Sequence, residues 1–153
     1  MKKTIVLNDI EMTFKSSAAT NILYKRAFKE DVLVKIAAYT KNLKELKSIQ
    51  EKVKAVREDT TKNKEEILAT MQELMQSDAF TASTAFTSET LPRLAFIMYL
   101  EANTDPKDIF SKLTEEDYLS WLLTIEQNDL LSVTGQIMEI WQAGTKTTSL
   151  PKN

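Results

Sequence analysis

Glycine occurs only at Gly135 and Gly144 in a chain of 153 residues. Phosphate-cradling loops of the GxGxxG or GxxxxGKS/T kind cannot be built from such a chain, which sets aside the nucleotide-binding folds that use them. Three prolines and a plentiful supply of Ala, Leu, Glu and Lys complete the picture. These residues lose little side-chain freedom in a helix, so the composition predicts a mainly α protein.

The side chains that are missing narrow the chemistry. There is no Cys and no His, which removes disulfides, thiolate metal sites, cysteine nucleophiles and the commonest general base and zinc ligand. Lys plus Arg number 20 against 22 for Asp plus Glu, so no excess of positive charge is offered to a phosphate backbone and nucleic acid is not an expected partner. No run approaches the roughly 18 apolar residues of a membrane span. Thr4 to Leu7 is too short for a signal-peptide core, and a soluble, intracellular protein is expected. At this length a single domain over 1–153 is expected.

Along the chain, Ile10, Met12 and Phe14 alternate with Glu11, Thr13 and Lys15, the period of a half-buried strand. With Thr4–Leu7 and an Asn8-Asp9 turn they predict a hairpin over 1–15, which needs helices beneath its apolar face. Ser16 or Ser17 can cap a first helix carrying Leu23, Tyr24, Ala27 and Phe28 on one side. Those four side chains are expected to fasten the hairpin to the helical body. Asp31 can cap a second helix with Val32, Ile36, Tyr39, Leu43 and Leu46 in a stripe, solvent-exposed in its second half. The first helices thus occupy 16–56. A flexible linker is expected over 57–66, where no large apolar residue occurs, with Asn63 and Glu66 as a capping pair. The helical core then runs over 67–144, and a disordered tail over 145–153.

Within that core, Ile67, Met71, Leu74 and Met75 mark a short amphipathic helix. Ser77 to Thr90 is rich in Ser and Thr and repeats Ala-Phe-Thr at Phe80 and Phe86. The two rings either pin a polar loop to the core or anchor a partner. Arg93 to Leu100, behind Pro92, is apolar nearly all round and predicts the central buried helix. Asp105-Pro106 opens a short turn with Ile109 and Phe110. Thr114 and Asp117 form a capping box before Tyr118, Trp121, Leu122 and Ile125. Asn128 or Asp129 can cap a last helix with Leu130, Val133, Ile137, Ile140 and Trp141, ending at Gly144 in a left-handed cap. The fold class so predicted is mainly α, with an N-terminal β-hairpin packed on a bundle of about five to seven helices, an estimate from helical periodicity.

No set of residues forms an active-site constellation. The carboxylates Glu65-Glu66, Glu115-Glu116-Asp117 and Asp105 with Asp108 fall where helix N-termini favour negative charge. Lys25 and Arg26 offer an anion site or a solvated face, and Trp121 and Trp141 read as core fillers ahead of interface anchors. No catalytic, cofactor-binding or metal-ligating residue is assigned. The residues named as candidates for partner binding are Tyr24, Lys25, Arg26, Phe80, Phe86 and Trp141.

Residues 17–31, SAATNILYKRAFKED, behind the hairpin resemble the N-terminus of tail assembly chaperones from long-tailed phages and prophages of Gram-positive bacteria. Ala18, Ala19, Thr20, Tyr24, Lys25, Phe28 and Asp31 carry the likeness, and Lys29 stands where relatives often carry Gly. LPRLAFIMYLEA from Leu91, DYLSWLLTIE from Asp117 and QIMEIWQA from Gln136 are similar to the same family in the same order. The resemblance leaves 47–88 uncovered. It implies a binding protein and not an enzyme, one that keeps the tape measure protein soluble and helps recruit tail tube protein. It also implies a frameshifted longer form that engages the tube. Such a protein would act in the cytoplasm of the infected or lysogenic host and be absent from the mature virion, without a cofactor, nucleic acid or membrane partner. Self-association is left open. The competing readings are a structural or adaptor protein retained in the tail and a host helical regulator.

Overall fold

The computed structural model describes residues 1–145. Thr145 closes the last helix, and the rest of the expected tail lies outside the described residues. In chain order the elements are β1 (Lys2–Leu7), β2 (Ile10–Lys15), α1 (Thr20–Phe28), α2 (Val32–Glu58), α3 (Lys64–Gln76), α4 (Asp78–Ala85), a π turn (Phe86–Thr90), α5 (Leu91–Asn103), a 3-10 helix (Pro106–Lys112), α6 (Glu115–Leu122), α7 (Gln127–Ser132) and α8 (Thr134–Thr145). The chain, expected as one domain, divides into two compact units. One comprises Met1–Val32 and the chain from Glu89 on, the other Leu33–Ser88.

The first unit is built on the hairpin and α5. β1 and β2 pair antiparallel with Leu7 opposite Ile10, Ile5 opposite Met12 and Lys3 opposite Phe14. Asn8 and Asp9 make the reversal at φ 48° and 68°, the two left-handed residues that a hairpin turn matching the strand twist requires. Ile5, Leu7, Met12 and Phe14 are buried, whereas Ile10 at the tip is exposed. At the open end the Met1 amine donates to the Ser16 carbonyl at 3.0 Å, and the Ser16 amide donates to the Met1 carbonyl at 2.8 Å.

α5 is the core element. Leu91, Leu94, Phe96, Ile97, Met98 and Leu100 are all buried, and each such side chain contributes about 1.5–3 kcal/mol when fully removed from water. The hairpin lies on α5 and α8. Phe14 meets Tyr99 edge to face at 6.4 Å, and Asn103 Nδ2 donates to the Thr13 carbonyl at 2.9 Å. The rings of α1 point elsewhere: Phe28 packs on Tyr118 of α6 at 5.2 Å. The hairpin is therefore fastened by α5 and α8, where the sequence had suggested α1.

Several junctions differ from expectation for local reasons. α1 starts at Thr20 with Ala19 as an N-cap that makes no side-chain bond; of the two serines expected there, Ser17 Oγ accepts from the Ala19 amide at 3.1 Å, while Ser16 donates through Oγ to the Ile140 carbonyl. It ends at Lys29, which takes the left-handed conformation at φ 60° and donates its amide to the Lys25 carbonyl at 2.8 Å, a role usually given to glycine. The last helix is two, because Val133 at φ −111°, ψ 16° interrupts it; Asn128 and Asp129 lie inside α7 and the N-cap is Glu126. No described glycine has positive φ. Gly144 lies inside α8, where an added Cβ would meet Ser16 Oγ at 1.8 Å, so it serves close approach and not a left-handed cap. The 3-10 helix and α6 begin as predicted, with Asp105 accepting from the Lys107 amide and Thr114 from that of Asp117.

The second unit is a run of helices. α2 stays helical to Glu58 and α3 begins at Lys64, so the expected linker over 57–66 shrinks to a turn at 59–63. Asp59 holds that turn by accepting from the Thr61 amide at 2.9 Å, and Asn63 accepts from the Glu66 amide at 2.9 Å. Leu46, the last residue of the predicted stripe, is buried, and so is Val53 in the half of α2 expected to face water. The Ser/Thr-rich segment is helical from Asp78 onward. Ser77 caps it by accepting from the Phe80 amide at 3.1 Å. Hydroxyls that would compete with the helix bond back to it instead, Thr81 to the Ser77 carbonyl and Ser88 to that of Thr84, a pattern open to Ser and Thr in helices.

Candidate functional site

Of the six residues named for partner binding, three are interior. Tyr24 is fully buried and its hydroxyl donates to Glu30 Oε1 at 3.3 Å. Arg93 Nη1 donates to the same oxygen at 2.5 Å, and the guanidinium lies over the Phe28 ring at 5.2 Å. Burial, and then the charge of Glu30, push the Tyr24 hydroxyl well above the ordinary phenol range. It therefore remains a donor. Trp141 is 8% exposed, and its indole donates to Asn21 Oδ1 at 2.8 Å. Phe86 is buried and stacks on Tyr39 at 4.0 Å with planes 14° apart.

The other three are more accessible. Lys25 and Arg26 face water, and the Arg26 guanidinium sits 4.6 Å from the centroid of the Phe110 ring, itself 57% exposed. Phe80 on α4 is half-buried. With Tyr24, Lys25, Arg26 and Trp141 in one unit and Phe80 and Phe86 in the other, the six do not define one site.

The carboxylates have structural work. Glu65 and Glu66 fill the first turn of α3, and Glu115, Glu116 and Asp117 that of α6. Among the described residues no group of three or more His, Cys, Asp or Glu could hold a metal ion. Glu101 on α5 accepts from Ser17 Oγ and from Thr20 Oγ1, each at 2.5 Å, clamping the start of α1 to α5. Burial raises its carboxyl above the usual range, although the two hydroxyls pull the other way.

The concavities among the described residues include two that each lie within one unit. A cavity of 170 Å³ at the hairpin tip is lined by Leu7, Ile10, Leu123 and Ile125 together with polar groups. The larger, of 290 Å³, is a groove between α2 and α3, lined by Val53, Lys54 and Arg57 from one helix and Met71, Leu74 and Met75 from the other. That volume lies just below the roughly 300–1,000 Å³ of small-molecule sites, so the groove suits one or two protruding side chains and not a whole metabolite. Its floor is apolar and its α2 side is cationic. Arg57 Nη2 reaches across to Met71 Sδ at 3.7 Å, while Lys52 and Glu73 join the two helices by an exposed ion pair at 3.2 Å.

The α3 side of this groove is legible from the spacing of Met71, Leu74 and Met75. The α2 side is not among the sequence candidates. Its one apolar lining residue, Val53, belongs to the series Leu46, Ile49, Val53 and Val56, spaced i, i+3, i+7, i+10 through charged residues, which is the signal that was there to read.

Fold and groove together define a mainly helical protein that carries an N-terminal hairpin on its helices and an open apolar groove in a helical hairpin. No family model matches the chain, and no curated protein or solved structure matches it either.

Proposed function

We propose that the protein is a tail assembly chaperone of a long-tailed phage or prophage, a binding protein that keeps the tape measure protein soluble and helps recruit tail tube subunits. The observation that carries this reading is α3. It is amphipathic and 13 residues long, yet not one of its residues is buried; Leu68 is 57% and Met75 53% exposed. A helix that leaves apolar side chains in water is suited to laying them against another chain. A tape measure protein is long and displays apolar helical stripes before the tube encloses it. Many copies of one groove can cover such a client along its length, each held weakly enough to yield to tube subunits. No described helix is long and apolar enough to cross a membrane, in keeping with action in the host cytoplasm.

Co-expression with the tape measure protein tests the proposal. The client is expected in the soluble fraction with this chain present and in the pellet without it. Equal solubility in both cases would refute the reading.

A further inference from the structure

We propose, resting on the chaperone reading, that the groove between α2 and α3 takes an amphipathic helix whose apolar stripe is flanked by carboxylates. The floor supplies the apolar half of the recognition. Val53 is 8% exposed, and Met71, Leu74 and Met75 line the opposite wall. Two of the four are methionines, whose unbranched, polarizable side chains adapt to more than one partner shape. α3 is 13 residues long, about 20 Å at 1.5 Å per residue, enough to lie along three to four turns of a docked helix.

The rim supplies the charge. Lys54 and Arg57 line the groove and are exposed. Neither forms an ion pair among the described residues. No carboxylate lines the groove: Glu73 pairs with Lys52 and Glu66 with Lys62, each at 3.2 Å, and Glu51 and Glu58 of α2 stand outside the lining. A docked helix therefore meets two open cations beside an apolar floor. Asp or Glu flanking its stripe is attracted, and Lys or Arg at the same places is repelled. The apolar floor favours a protein helix over a nucleic acid, which would need a longer row of cations along a phosphate backbone.

The test uses the full chain and three labelled synthetic peptides of about 18 residues, enough for roughly five helical turns. They share one Leu/Met stripe and carry Glu, Gln or Lys at the flanking positions. Fluorescence anisotropy is expected to rank them Glu, Gln, Lys, with the Glu peptide about tenfold tighter than the Lys peptide, the scale of two exposed charge pairs gained against two repelled. Salt should compress the range. The variant Lys54→Glu/Arg57→Glu, checked for unchanged circular dichroism, should reverse the order. Equal binding of the three peptides, binding of none, or displacement of the Glu peptide by a DNA oligonucleotide would overturn the proposal. Client solubility separates the two ideas. If the charge-reversed variant keeps the tape measure protein soluble as well as the wild type does, the chaperone reading stands and the groove inference falls. If neither keeps it soluble, the chaperone reading falls and the peptide ranking alone decides the groove.

Discussion

Replacing Gly144 by alanine isolates what the approach of α8 to the hairpin's exit costs to disturb. In most helix interiors glycine to alanine is stabilising by about 0.5–1 kcal/mol, because alanine loses less backbone entropy on folding. At Gly144 the new Cβ would lie 1.8 Å from Ser16 Oγ, 2.5 Å from Ser16 Cβ and 2.6 Å from the Ser16 carbonyl carbon. Two of these atoms cannot swing away, so either α8 or the backbone at Ser16 must move. Overpacking of this kind costs about 1–3 kcal/mol. Moving Ser16 also strains its Oγ bond to the Ile140 carbonyl and its paired bonds to Met1, at roughly 1 kcal/mol for a net hydrogen bond. After the alanine gain is subtracted, Gly144→Ala should lose about 1–3 kcal/mol, a fall in Tm of about 3–10 °C for a chain of this size. Gly135→Ala is the control. Nothing lies within 4 Å of its added Cβ, so the same change on the same helix should gain about 0.5 kcal/mol. Trp121 and Trp141 both belong to the unit that contains Gly144, and their fluorescence in urea reports that unit. A Gly144→Ala protein as stable as wild type would refute the close approach. Ser16→Ala should not rescue it, since the clash with Cβ and backbone remains when only the hydroxyl is removed; full rescue would put the whole cost on the hydroxyl.

Three further changes probe the junctions. Lys29→Gly should stabilise by about 1 kcal/mol, the cost of a side chain in the left-handed region at φ 60°, read as a higher urea midpoint; no gain would argue against that conformation. Arg93→Met keeps an unbranched apolar stem but removes the partly buried pair with Glu30 and the guanidinium over the Phe28 ring, and a loss of about 1–3 kcal/mol is expected, between the values for exposed and buried pairs. Glu101 has a carboxyl raised above 4.5 in the folded protein, chiefly by burial, so the folded state binds its proton more tightly than the unfolded one. Its contribution to stability falls as pH rises from 4.5 through the raised value, and Glu101→Gln should remove that downward component from midpoints measured between acid and neutral pH. An unchanged profile would show that the carboxylate is not desolvated.

Much of the fold was legible because its signals are local. The Asn8-Asp9 reversal, the Asn63 cap, Asp105-Pro106 and the Thr114–Asp117 pair each depend on residues within four positions of one another. The all-round apolar character of Arg93 to Leu100 could only mean burial. What escaped depends on distant chain. Gly144 is set by Ser16, and a glycine near a helix end looks like a C-cap until the crossing strand is known. The polar run from Ser77 to Thr90 looked like a loop because its hydroxyls compete with the helix, and their back-bonding to carbonyls appears only once the turns exist. The groove escaped for a further reason. Its α3 wall has a helical period, but Val53, Lys54 and Arg57 join it only because the turn at 59–63 folds α3 back along α2.

The methionines of that groove tie its chemistry to the redox history of the protein. Oxidation to the sulfoxide turns a flexible apolar side chain into a polar one. Met75 is 53% exposed, open to peroxide, and Met71 already lies against Arg57, whose guanidinium would bind a sulfoxide oxygen more strongly than a thioether sulfur. Since α3 buries no residue, such damage would leave the helices standing while it wets the groove floor and engages one of its two open cations. A preparation aged in air should thus keep its circular dichroism and bind the Glu-flanked peptide proposed for the groove more weakly, and reduction by a methionine sulfoxide reductase should restore that binding.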